Sequence, residues 1–231
     1  MATSFYTDGR YEALHPNWHE EDSAWKARQV LELLRFNGIS PASVCEVGCG
    51  AGGILETLQG NLPPTCNFVG YEVSPQAFAR CAKRANRRLQ FVLGDFIGQG
   101  PSSIDVLLCM DVVEHVEDYL GFLKSIRGRA RHKVFHVPLD LSLQGILRGV
   151  PEAVRESAGH LHYFTRKLFL NALHETGYQI EDWTYTPAAT DLPARSVAMA
   201  CAKWPRKLMF AASPEVASRV LGGFSLLVLA K

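Results

Sequence analysis

The sequence predicts an α/β domain built on an open, doubly wound, mostly parallel sheet. Three observations carry this. Short apolar runs alternate along the chain with segments of helical periodicity, the pattern of parallel strands joined by crossover helices. The first run is followed at once by a glycine cluster, Gly48, Gly50 and Gly52, that opens a helical segment. An acidic residue, Glu72, closes the second run, about twenty residues further on.

Each element has its own warrant. The opening residues 1–40 hold the clearest helix, "DSAWKARQVLELLRFNG", where Asp22 and Ser23 are capping candidates, Val30, Leu31, Leu33 and Leu34 recur at helical spacing, and Gly38 stops it. Strands are expected near Ser43–Val47, Phe68–Glu72, Gln90–Leu93, Ile104–Cys109 and Lys133–Val137. Ser74 and Pro75 start the helix "SPQAFARCAKRANR", while "VEDYLGFLKSIRGRA" places Tyr119, Leu120, Phe122, Leu123 and Ile126 along one face. Two further strands, "YQIEDWTYT" and "FSLLVLAK", flank an insert at 187–223 interrupted by Pro193, Pro205 and Pro214. The division is then one domain over 1–231: an N-terminal lid or helix (1–40), a binding core (41–186), the insert (187–223) and a last strand (224–231).

Composition limits the function classes. With 231 residues and 47% hydrophobic, the chain has enough apolar surface for one sizeable core. Its 24 Lys and Arg against 23 Asp and Glu carry none of the positive excess of a nucleic-acid surface. Cys45, Cys49, Cys66, Cys81, Cys109 and Cys201 lack paired zinc spacing, so free thiols and a cytoplasmic setting are expected. The polar, acidic N-terminus is unlike a targeting leader, and no apolar run reaches the roughly 18 residues of a membrane span.

A glycine-rich turn between strand and helix lets backbone approach a ligand, while the helix offers free N–H groups and the acid at the second strand accepts from ribose hydroxyls. The spacing is G-x-G-x-G, preceded by Glu46, and differs from the G-x-G-x-x-G of dinucleotide sites.

"EVGCGAGG" resembles the first motif of class I S-adenosylmethionine (SAM) dependent methyltransferases. "FVGYEVSP" is similar to their second motif, "FVLGDF" to the third, and "DVLLCMDVVEHVEDY" to the fourth-strand segment of the small-molecule branch, type 11/23-like. The similarity runs from about Val44 to Gly177 and includes "HLHYFTRKLFLNALHETGY". It implies a Rossmann-like fold with a seven-stranded sheet, helices on both faces and an antiparallel last strand. It also implies SAM as cofactor, with Gly48, Cys49, Gly50 and Gly52 in the binding turn. Glu72 and Val73 would lie at the ribose, Asp95 at the adenine amino group, and Phe96 packed on the adenine. Met110, Asp111 and His115 would border the methionine portion, and Glu46 would hold its ammonium.

Because SAM carries an already activated methyl, a base is needed only when the acceptor must lose a proton. His136 and His162 are the candidate catalytic bases, against the alternative that they make structural hydrogen bonds; His160 shares the same loop as His162. Tyr6, Tyr11, Trp18, His19 and Trp25 are read either as a water-excluding lid or as a helix packed on the sheet edge. No metal set is assigned, since Cys45 and Cys49 straddle the turn without further ligands at zinc spacing. Motifs of DNA-base methylation are absent, and the apolar insert with Arg195 and Arg206, together with the segment Asp140–Ala158 carrying Arg148 and Arg155, suits a small apolar or acidic acceptor, with O-methylation expected from the resemblance. Neither nucleic acid nor stable membrane insertion is expected. The rival readings are a catalytically silent SAM-fold binding protein and a nicotinamide-dependent oxidoreductase.

Overall fold

A computed structural model of the chain describes residues 2–193 and 197–231. The strands are β1 (Ser43–Val47), β2 (Asn67–Glu72), β3 (Leu89–Leu93), β4 (Ile104–Met110), β5 (Ala130–Pro138), β6 (Ile180–Thr186) and β7 (Ser225–Ala230). They form one seven-stranded sheet of order β3-β2-β1-β4-β5-β7-β6. The pairings β3–β2, β2–β1, β1–β4 and β4–β5 are parallel, whereas β7 runs antiparallel to both β5 and β6. The sheet and its antiparallel β7 are those the sequence implied.

Parallel strands covered on both sides must be apolar on both faces. In β4, Leu107 and Cys109 enter the core on one face with Cys45 and Val47 of β1, and Val106, Leu108 and Met110 enter the other with Val44. Connections from β1 lead outward to β2 and β3, and those from β4 lead the other way, so a crevice opens beyond the C-terminal ends of β1 and β4.

The helix Glu20–Phe36 buries Trp25, Ala27, Val30, Leu33 and Leu34. It starts earlier than Asp22 and Ser23 suggest: its cap position is His19, in the left-handed region, and Glu20, Glu21 and Asp22 occupy the first turn, where acidic groups favour the helix dipole. Ser74 does cap the helix Pro75–Cys81, accepting from the Ala77 N–H. Asp118 caps Tyr119–Ile126 in the same way through Gly121.

Within 187–223 lie the helices Ala188–Asp191, Val197–Ala212 and Pro214–Val220. Pro214 starts a helix rather than breaking one, because at the first turn its missing N–H has no partner to lose. Pro205 sits inside Val197–Ala212. An interior proline costs about 3 kcal/mol, which is offset by packing such as Phe210 stacked on Phe224 at 5.0 Å. Arg195 lies outside the described residues. Among those described, no helix is long and apolar enough to cross a membrane.

Candidate active site

A cavity of about 680 Å³ lies over the C-terminal ends of β1, β2 and β4. Its base is the glycine turn. The N–H groups of Gly48 and Cys49 both donate to the Tyr71 carbonyl, at 2.8 and 3.0 Å, and fasten the turn to β2. Gly50 has φ +53°, and a β-carbon there would meet nothing within 4 Å, so its bare backbone faces the cavity. Gly52 does something else: a β-carbon there would stand 2.7 Å from the Phe91 ring and 2.9 Å from Cys81 Cβ. It is absent from the cavity wall, and its lack of a side chain lets helix Gly53–Asn61 pack close to the sheet.

Glu72 joins turn and strand. Its Oε2 accepts from the Gly50 N–H and its Oε1 from the Ser74 N–H, both at 2.8 Å. Burial pushes this carboxyl upward, opposed by the backbone donors of Ser74, Gly50 and Val73. Val73 and Asp95 lie on the wall beside it. Asp95 Oδ1 accepts from the Ile97 N–H at 3.0 Å, capping the short helix Phe96–Gln99 and bringing Ile97 to the wall. Phe96 is turned away from the cavity into the core, edge-on to Tyr71 at 5.4 Å with the Arg129 guanidinium over it. The next residue, Ile97, lines the cavity instead of Phe96.

The deep end is charged. Glu46 is 1% exposed, and its Oε2 has no hydrogen-bond partner. Burial drives its carboxyl well above the usual range, against the attraction of the Lys26 ammonium. Met110 and Asp111 follow at the end of β4. Asp111 has φ +56°, a conformation Asp tolerates better than most residues, and its N–H donates to the His136 carbonyl at 2.9 Å. One carboxylate oxygen meets Lys26 Nζ and the other His136 Nδ1, both at 2.6 Å. Burial alone would raise the Asp111 carboxyl, but these two neighbours hold it well below the ordinary carboxylate range.

Neither candidate base borders the cavity. His136 spends both ring nitrogens, Nδ1 on Asp111 and Nε2 on Thr186 Oγ1 at 2.8 Å, behind the wall. His162 Nε2 donates to the carbonyls of Val116 and Glu117, at 2.9 and 3.2 Å. Both make the structural hydrogen bonds of the alternative weighed for them. His115 does reach the cavity; burial lowers its ring to about 4, so it is neutral at pH 7.

The N-terminal helices Ala2–Thr7 and Arg10–Leu14 and the turn after them bring Tyr6, Tyr11, Trp18 and His19 to the wall. Trp25 is not among them: its indole N–H donates to Asp191 and its ring packs against His136. Among the wall residues that sequence reasoning missed are Ser23, Lys26 and Ile97. The helix phase held a signal for the first two, since they stand three apart beside the buried stripe of Glu20–Phe36.

Curated relatives match part of the chain. Ubiquinone biosynthesis O-methyltransferase, mitochondrial, of Schizosaccharomyces pombe is 34% identical over 102 residues, 41% of this chain and 36% of that protein. The Actinobacillus pleuropneumoniae ubiquinone biosynthesis O-methyltransferase is 26% identical over 134 residues, 52% of this chain and 57% of its own. The chain thus spans roughly half the length, or less, of these relatives. In fold it is similar to a crystal structure of magnesium protoporphyrin IX methyltransferase from Synechocystis PCC 6803 with bound SAH, at TM-score 0.61 and 15% identity over 90% of this chain and 82% of that one. Residues 18–182 match the methyltransferase domain model, and the chain belongs to that family.

Proposed function

We propose that the chain is one SAM-dependent methyltransferase domain that methylates a hydroxyl of a small organic molecule in the cytoplasm. The observation that carries this reading is Glu72, whose carboxylate is fixed by Gly50 and Ser74 at the mouth of a G-x-G-x-G turn and keeps lone pairs for a ribose diol. The residues present fit the cofactor. Glu46 has an unpartnered buried oxygen for the methionine ammonium, the bare backbone of Gly50 admits close approach, and Asp95 with Val73 and Ile97 forms a polar and apolar edge for adenine. SAM supplies a methyl on a positively charged sulfur. The chain's part is to orient it and to exclude water, with Tyr6, Tyr11, Trp18 and His19 as the cover. The names of the curated relatives support an oxygen acceptor.

His136 acts here through Asp111, fixing the carboxylate that pairs with Lys26. The general-base role expected for His136 and His162 gives way to positioning and desolvation.

Incubation with methyl-labelled SAM and a metabolite extract tests the reaction. A labelled O-methyl product in the small-molecule fraction is expected. SAM binding without any labelled product favours the silent binding protein.

Glu46 gives a second expected result. In the free protein its raised carboxyl holds a proton to higher pH than usual, and the ligand ammonium lowers it again. Binding then releases a proton, so SAM affinity rises with pH up to the raised value, by at most about tenfold per pH unit, and levels off above it. Calorimetry in buffers of different ionisation enthalpy counts the proton, and Glu46→Gln is expected to flatten the pH dependence. An unchanged profile in that variant removes Glu46 from the ammonium site.

A further inference from the structure

Glu114 is fully buried, and neither of its carboxylate oxygens has a hydrogen-bond partner. A carboxylate so placed costs several kcal/mol by general estimate unless something compensates it. Its neighbours offer no proton. The Tyr6 hydroxyl donates its single hydrogen to the Ala158 carbonyl and lies 2.7 Å from His115 Nδ1, whose other neighbour is the Gly159 carbonyl at 3.3 Å. Two oxygens with nothing left to donate put the His115 proton on Nδ1, so Nε2 carries a lone pair, 3.9 Å from Glu114 Oε1. His160 repeats the pattern: in the neutral ring that donates from Nδ1 to Asp140 at 2.7 Å, Nε2 carries the lone pair.

Glu114, His115 and His160 each bring one donor atom, and the three atoms lie within 4.8 Å of one another. The backbone fixes this meeting of distant segments, because the N–H groups of Leu161 and His162 both donate to the Glu114 carbonyl, at 2.8 and 3.1 Å. Two imidazole nitrogens and a carboxyl oxygen converging here form a donor set for a cation.

The geometry points to a divalent transition-metal site formed by Glu114, His115 and His160, with zinc the ion best matched to two imidazoles and one carboxylate. Three protein ligands of this kind are the donor set of catalytic zinc, which keeps a position open. The hydrogen bonds from each Nδ1, to Tyr6 and Gly159 and to Asp140, are the outer contacts that orient metal-binding histidines. Ligands at about 2.0–2.2 Å from zinc stand closer together than these donors do, so binding draws the three inward. Of the three, His115 lines the cavity wall, so the site adjoins the acceptor space on its side.

Metal binding is independent of the methyl-transfer reading; the role of the ion rests on it. An acceptor hydroxyl on the open position becomes more acidic and loses its proton to water. Its oxygen pair forms the new O–C bond as the C–S bond breaks and its electrons return to sulfur.

The test uses the full chain stripped with a chelator and titrated with Zn²⁺ and separately with Co²⁺, followed by calorimetry, thermal shift and visible absorption. One equivalent of either metal, a rise in melting temperature and d–d bands of low-coordinate Co²⁺ are expected. His160→Asn and Glu114→Gln are expected to weaken Zn²⁺ binding by about 100-fold or more. S-adenosylhomocysteine (SAH) titration reports whether each variant is folded. Absence of stoichiometric metal uptake by the wild-type chain overturns the proposal, whatever the variants do, and so does wild-type affinity in both folded variants. Failure of metal binding with SAH binding intact sinks the metal site alone; failure of SAH binding with metal intact sinks the methyl-donor reading alone.

Discussion

Asp111→Ala is expected to destabilise the protein by about 3 kcal/mol. The carboxylate is shared by Lys26 and His136, each at 2.6 Å, and its loss strands a largely buried ammonium and an imidazole N–H without an acceptor. For a chain of this size that corresponds to a fall in melting temperature of roughly 6–12 °C. Lys26→Met in the same background is expected to restore part of the loss, because the stranded charge goes with it. The pH dependence has a definite sign. Asp111 is depressed in the folded state, so its contribution is complete above the ordinary carboxylate pKa of about 4 and fades as pH falls from there toward the depressed value. Wild type and variant therefore converge in acid. Thermal denaturation of the three proteins between pH 3 and pH 8 measures this; an equal gap at every pH contradicts the account of Asp111.

Glu72→Ala is expected to weaken SAM binding by about 2–3 kcal/mol, or roughly 30- to 150-fold. Two effects combine. The variant loses the acceptor for the ribose hydroxyls, and it frees the Gly50 and Ser74 N–H groups that hold the glycine turn against β2. Glu72→Gln keeps one carbonyl oxygen and is expected to fall between the two. Calorimetric titration of each variant, with its thermal unfolding as a check on folding, decides. Undiminished affinity in a folded Glu72→Ala protein removes the residue from the site.

The two expectations differ in how far the sequence revealed them. Glu72 was legible because a parallel strand places its last residue at the ligand crevice, and strand ends are marked by local apolar runs. Strand ends together with the motif resemblance pointed to Glu46, Gly48, Cys49, Gly50, Val73, Asp95, Met110, Asp111 and His115, and all of them line one cavity. What lay hidden depends on where a side chain turns once neighbours are present. Gly52 belongs to the motif by spacing, yet it is Phe91 and Cys81 pressing from the sheet that require a glycine there. Phe96 and Ile97 are adjacent in sequence, and the rotation of one short helix decides which faces the cavity. His136 sits at a strand end as expected, but Asp111, just after β4, and Thr186, at the end of β6, consume both its nitrogens. Lys26 belongs to a helix that precedes the sheet, and only the packing of that helix against the sheet and helix Gly53–Asn61 carries it to Asp111. The cluster of Glu114, His115 and His160 joins two segments through backbone hydrogen bonds that leave no periodic trace in the sequence.

The central claim is that the cavity beside the Gly48–Gly52 turn takes a methyl donor. Titration of the wild-type chain with SAH and, in parallel, with NAD tests it most directly, read as heat of binding and as ligand-dependent stabilisation. The account predicts saturable one-to-one binding of SAH with a rise in melting temperature and little or no response to NAD. Binding of NAD more tightly than SAH contradicts it.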